Sequence, residues 1–554
     1  MSRHALTEGL AALAPGDKRL LKATFAAALA ALVLGVLWGS AIALARAGFL
    51  PLDPLTGYRA LTGHAVSIFF YWLYFSQAGL LLAFAAAYTA PARGIAWRPL
   101  AWVGLTLMLA GFAANLYSIL TGMPLLYDAP PDVAGGPSTV TAMFYAGYLM
   151  LAAGLASVAA AGVATTLRPL AAGEIAEWPV VSFAACAWAG LLIVSAIAAA
   201  YAFLPAARWA FGFGPLPAEH STSWHILFHN MHYLPLMATV LVWYVLVEAL
   251  TGVKSVFGAR FSKTVFASYL VFVPPTSLYH MFLEPGLAET VRVLGSLLSL
   301  FISVPTVTVF LVIVASLEVH ARSAGARGLF GWIRMLPWSN PAMSAIGFAV
   351  VNLALGGALA FVLIQEKLAP LLSDTFFVPG YFHFLTVGTV TFTLLAALVY
   401  ALPALTGRAV WRPGLLRWMP ALATAGLLLF GTAGVWAGYL GVPRRVLDTG
   451  YDGAAPAQWA ALMGTVGIGG TLMSVAVLVF SLVLAANLLP ASARRESSGS
   501  LPQVDWGAPA APAARAWTGP LAVLVLVAIT VAFTSLAFEV MQALPLAASG
   551  SAAH

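Results

Sequence analysis

Six of the ten histidines in this chain of 554 residues fall inside long apolar runs: His64, His225, His229, His232, His280 and His383. Each alone reads as a packed residue hydrogen-bonded to a neighbouring helix. Six together point to neutral imidazoles that ligate a metal or a haem iron, because ionisable groups inside a membrane usually mark function. His225, His229 and His232 follow an i, i+4, i+7 spacing and share one helix face, with Tyr233 one residue further on. An iron, copper or zinc ion held by His229 and by His280 of the next helix is sterically reasonable, with Tyr233 beside it as a phenol. His64 and His383 are the natural partners for a six-coordinate haem, which needs two imidazoles across one iron. Arg444 and Arg445, in Val442-Pro443-Arg444-Arg445, offer bidentate donors to haem propionates; contact with lipid headgroups is the alternative.

The elements that must carry these residues are membrane helices. The chain is 61% hydrophobic and 8% charged, with a mean hydropathy of +0.93, which excludes an ordinary soluble protein and predicts an all-α integral membrane protein. Apolar runs of about 20 residues predict thirteen transmembrane helices, near 23–46, 62–90, 98–120, 138–166, 178–204, 221–250, 264–283, 290–318, 341–365, 379–405, 416–440, 457–489 and 516–545. Nineteen of the 26 Lys and Arg fall in loops on the side of the N-terminus, which is therefore expected to be cytoplasmic. The formal charge of +7 thus reads as a topology signal, with no nucleic-acid partner expected. The second, sixth and tenth spans then begin on the outer side and the seventh ends there, so all six histidines lie in the outer half of the membrane. Pro379-Gly380 reads as a chain break that puts Tyr381 and His383 in the first turn of the tenth helix.

The single cysteine, Cys186, excludes an internal disulfide, a Cys-X-X-Cys-His haem attachment and a multi-thiolate centre within this chain. No removable signal peptide is expected. Residues 1–554 read as one transmembrane domain, with a flexible cytoplasmic connector near 490–512 that is rich in Ser, Pro, Gly and Ala.

Over nearly its whole length the sequence resembles subunit I of the haem-copper oxygen reductases, specifically the B family of bacterial cytochrome c oxidases. The stretches that carry this are Gly328-Leu-Phe-Gly-Trp-Ile-Arg334 with Leu336-Pro337-Trp338 and Asn340-Pro341, Val442-Pro-Arg-Arg445, Ala315-Ser-Leu-Glu318, Leu405-Thr-Gly407 and Val378-Pro-Gly380. The resemblance implies that His64 and His383 ligate a low-spin haem b, that His229 binds copper with Tyr233 in the family's His-X-X-X-Tyr motif, and that Arg444 and Arg445 bind propionates. It makes Tyr233 the catalytic tyrosine, cross-linked in the family to the copper-binding histidine. Tyr244 and Thr306 look like members of a proton-uptake path from the cytoplasmic side. A second, high-spin haem and a copper ion belong to the family's full set, as do a subunit II that admits electrons and a soluble cytochrome c that supplies them.

Two positions depart from that pattern. Where the family has a His-His pair of copper ligands, this chain has Tyr279-His280, and where the family reads Gly-His-Phe-His it has Gly380-Tyr381-Phe382-His383. The axial place of the high-spin haem thus falls on Tyr381. A tyrosinate can ligate haem iron, but as an anion it favours the ferric state. The copper keeps His229 and His280, with Tyr279, His232 or His225 as the third donor. Three readings stay open: an oxygen reductase or nitric oxide reductase-like enzyme of a bacterial inner (cytoplasmic) membrane with an altered binuclear centre; an electron-transfer or gas-sensing protein with one low-spin haem; and a structural protein without haem.

Overall fold

In hydrocarbon every peptide group must find its partner within the chain, and runs of this length can do so only as helices. The computed structural model describes residues 5–89, 93–127, 129–217, 220–273, 289–363, 365, 368–446 and 453–489, with the backbone alone for 221–230 and 289–303. Among these, the regular structure is helical, and the one ladder-type contact is an isolated bridge between Thr375 and Pro443. After a short helix at Ala5–Ala12 come α1 (Pro15–Arg46), α2 (Pro54–Thr89), α3 (Arg98–Thr121), α4 (Thr139–Ala171) and α5 (Val180–Ala210). Then follow α6 (His220–Thr251), α7 (Gly258–Phe272) and α8 (Glu289–Ser323), and finally α9 (Pro341–Leu363), α10 (Phe377–Thr406), α11 (Pro413–Tyr439) and α12 (Ala457–Ala485). Eleven helices among the described residues are long and apolar enough to cross a membrane. The seventh predicted span is described only as far as Phe272 within α7, while the thirteenth (516–545) and the connector near 490–512 lie outside the described residues.

Burial separates the helices that build the interior from those that face lipid. The apolar windows of α2, α6 and α10 are 94%, 83% and 83% buried, against 39% for α1 and 28% for α9. The three innermost helices are those that carry His64, His232 and His383. Polar side chains tie them together: Trp72 donates its indole N–H to Thr391 (3.0 Å), Trp243 donates to Thr393 (2.8 Å), and the Tyr74 hydroxyl donates to the Met231 carbonyl (3.0 Å). Around them, small residues let helices approach closely. A Cβ on Gly104 would lie 2.7 Å from the Gly154 carbonyl, and one on Gly426 would lie 2.7 Å from that of Gly469.

Two helix starts differ from the sequence expectation. The second helix begins at Pro54, because Asp53 caps it by accepting from the Thr56 N–H (3.0 Å) and Pro54 stands where no N–H is needed. Hydrogen bonds from Thr56 hold the Asp53 carboxyl below its ordinary range. His64 therefore lies in the third turn of α2, not at its start. Similarly, Pro379-Gly380 is not a break: α10 begins at Phe377, Pro379 occupies its first turn at no hydrogen-bond cost, and the helix runs on. Gly380 serves close packing, since a Cβ there would lie 2.7 Å from the Val435 amide nitrogen of α11.

Candidate functional site

The His64 and His383 imidazoles meet across one cavity. Their rings are parallel to within 2° with centroids 6.2 Å apart. Each is oriented through its Nδ1: His64 bonds the Gly35 carbonyl of α1 (2.8 Å), and His383 bonds the Pro379 carbonyl one turn back on α10 (2.7 Å). With Nδ1 donating to a carbonyl, Nε2 is left as the unprotonated nitrogen, which is the state a metal requires. Gly39 makes room for this pose, because a Cβ there would lie 2.6 Å from His64 Nδ1. On the other side Phe430 packs against the His383 ring, 4.6 Å between centroids. Immediately after each histidine the helix widens into a π-turn, Val66–Trp72 in α2 and Phe384–Thr391 in α10. Such turns recur at functional sites, where they re-aim side chains.

These dimensions were tested against a haem iron. A metal–imidazole bond of about 2 Å, with the ring centre about 1.1 Å beyond the nitrogen, puts two opposed ring centres about 6.2 Å apart. The residues fit the group. The cavity, of about 220 Å³, is bounded by both histidines and by Phe69, Phe382, Gly470 and Met473, and Arg46, Arg444 and Arg445 stand at its rim.

The arginines are held by backbone. The Phe376 N–H donates to the Val442 carbonyl (2.7 Å) and the Arg444 N–H to the Asp374 carbonyl (3.1 Å), pinning the loop against the turn before α10. The Arg444 side chain reaches Asp374 (3.1 Å), and the Arg445 guanidinium lies 5.7 Å from the Tyr127 ring centre. Arg46, at the end of α1, donates to the Arg444 carbonyl (2.7 Å) and to that of Pro443 (3.4 Å), and sits over the Phe376 ring. Sequence reasoning did not single out Arg46 for the site. The available signal was an arginine ending a span on the side with few basic residues.

The other candidate residues separate. His232 lines the histidine cavity, edge-on to Phe69 (5.0 Å) and Phe382 (4.8 Å). Tyr233 is partly buried against the main apolar core. Tyr381 itself packs against the cluster of Leu363, Leu372 and Phe377. For His225 and His229 only the α6 backbone is described, and Tyr279 and His280 lie outside the described residues; among the described residues there is no group of three His, Cys, Asp or Glu able to hold a metal. Tyr244 opens with Tyr88 and Glu248 onto a second cavity of about 410 Å³. Thr306 of α8 shares a hydrogen bond with the Tyr269 hydroxyl of α7 (2.9 Å). Tyr244 and Thr306 therefore belong to two separate polar contacts.

With this geometry established, residues 19–472 match the family model for cytochrome C and quinol oxidase polypeptide I. The chain belongs to that family. Over 279 residues it is 32% identical to cytochrome c oxidase subunit 1 of Thermus thermophilus, a match covering 49% of this chain and 49% of that relative. Over 158 residues it is 32% identical to cytochrome c oxidase polypeptide 1 of Halobacterium salinarum, covering 27% of this chain and 25% of the relative. The matched segments thus span about half, or less, of these relatives' lengths. The fold agrees with a solved heme-copper terminal oxidase dimer at a TM-score of 0.77 and 20% identity, over 94% of this chain and 91% of that one. The family's polypeptide I chains are multi-pass membrane proteins, and the helices described above conform.

Proposed function

We propose that this polypeptide I-type chain belongs to the B-family branch and acts in a bacterial inner (cytoplasmic) membrane, N-terminus inside, as a respiratory oxidoreductase. On this reading it reduces oxygen with electrons that reach it from cytochrome c through a subunit II-like partner, with proton uptake from the cytoplasm. The observation that carries the reading is the His64–His383 pair, whose parallel rings and 6.2 Å separation suit one bis-histidine haem b. Bound there, the haem would supply one-electron transfer. The chain's own contribution is orientation and electrostatics. Gly35 and Pro379 carbonyls hold the imidazole tautomers, and Arg46, Arg444 and Arg445 offset propionate charge at the cavity rim. The buried walls exclude water, which favours the less charged ferrous form.

The oxygen-reducing half would rest on His229 and His280 to hold copper, on Tyr233 as the catalytic phenol beside it, and on Tyr381 to hold a high-spin haem. Tyr244 and Thr306 would be members of a single proton-uptake path that rises from the cytoplasmic side toward Tyr233. The packing of Tyr381 among leucine and phenylalanine side chains favours a second reading, a low-spin haem b carrier or gas sensor without oxygen reduction; a nitric oxide reductase-like relative is the variant in which another diatomic gas is reduced. Reduced-minus-oxidised and reduced-plus-CO spectra of the purified protein, with haem and copper counts, separate these. Two haems, copper and a CO-sensitive band support the gas-reducing enzyme, whereas one CO-insensitive haem b supports the carrier and sinks the oxidase.

A further inference from the structure

On α6, consecutive residues are rotated by about 100° around the helix axis, so His232 and Tyr233 leave the helix in different directions. His232 lines the cavity that His64 and His383 bound. Its imidazole stands edge-on to Phe69 of α2 and to Phe382 of α10, at 5.0 and 4.8 Å between centroids. Those two phenylalanines follow the two facing histidines closely in sequence, Phe382 directly before His383 and Phe69 five residues after His64, and both line the same cavity. A third helix thus contributes an imidazole to this space, beside the Phe69 and Phe382 rings.

We propose that His232 is a haem-facing residue that sets the reduction potential of the haem held by His64 and His383, and that it is not a ligand of the copper. This rests on the haem reading above. The physical reason is dielectric. A ferric bis-imidazole haem carries one more positive charge on its core than the ferrous form, and a polar ring in contact with the porphyrin stabilises that charge better than hydrocarbon does. His232 therefore lowers the potential relative to a leucine at the same place.

The test is a redox titration of the α-band in the purified haem-bearing protein, with His232→Leu, His232→Gln and the control Gly357→Ala beside the wild type. His232→Leu is expected to raise the midpoint potential. His232→Gln, which restores a polar group, returns it toward the wild-type value, and Gly357→Ala, where a Cβ meets nothing within 4 Å, leaves it unchanged. All should keep the bis-histidine electron paramagnetic resonance signature. If His232→Leu does not accumulate, the smaller change His232→Val is read in the same way. An unchanged potential in a fully haem-loaded His232→Leu or His232→Val protein overturns the inference, as does loss of bound copper with the haem potential untouched. A wild-type protein without haem defeats the parent reading instead, before any variant is compared.

Discussion

Replacing Gly39 with alanine is the smallest change that reaches His64 without touching it. A Cβ at that position would lie 2.6 Å from His64 Nδ1 and 2.7 Å from Cε1, about 0.8 Å short of an ordinary contact of 3.4 Å. The ring has little freedom to yield, because its Nδ1 is bonded to the Gly35 carbonyl at 2.8 Å on the same helix. Metal–ligand distances tolerate only about 0.2 Å, so the displacement that Gly39→Ala demands is several times what an iron–nitrogen bond can absorb. Overpacking of this kind costs about 1–3 kcal/mol, equivalent to about 5- to 150-fold in haem affinity if it is all expressed there. The assay is haem content and reduced α-band amplitude in purified protein, with thermal unfolding measured in parallel. Gly357→Ala is the control, since a Cβ there meets nothing within 4 Å and alanine in a helix interior is favoured by about 1 kcal/mol. Gly39→Ala is expected to lose or shift the low-spin spectrum while Gly357→Ala keeps it. An unaltered spectrum and haem content in Gly39→Ala would refute the argument that His64 is held in its observed pose for ligation.

Two further outcomes are expected. His383→Ala abolishes the six-coordinate spectrum, whereas Tyr381→Phe retains it, because only His383 faces His64; the reverse result would exchange the two assignments. Arg46→Met removes the donor to the Arg444 carbonyl, a charged hydrogen bond worth about 2 kcal/mol, and is read as faster haem loss and a lower unfolding temperature in detergent. Arg46→Lys recovers part of this at most, since one ammonium cannot span both the Pro443 and Arg444 carbonyls as the guanidinium fork does.

The sequence by itself determined that the chain is helical and crosses a membrane, because hydrocarbon leaves a run of twenty apolar residues no other way to satisfy its peptide groups. It also selected His64 and His383 as a pair, from residue type and from their positions near the outer ends of separate spans. Helix starts were less legible. Asp53-Pro54 is a capping signal outside the apolar run that defined the second span, and a proline in a first turn looks in sequence like one that ends a helix.

What required the tertiary structure was the direction of side chains on packed helices. His225, His229 and His232 share a face by spacing, yet whether His232 reaches the cavity between His64 and His383 depends on how α6 is rotated against α2 and α10, and rotation is fixed by packing partners such as Phe69 and Phe382. Arg46 shows the same limit: its role comes from backbone carbonyls some 400 residues away, and a carbonyl carries no mark in sequence. Periodicity says which residues lie along one stripe of a helix; only the neighbouring helices decide what that stripe faces.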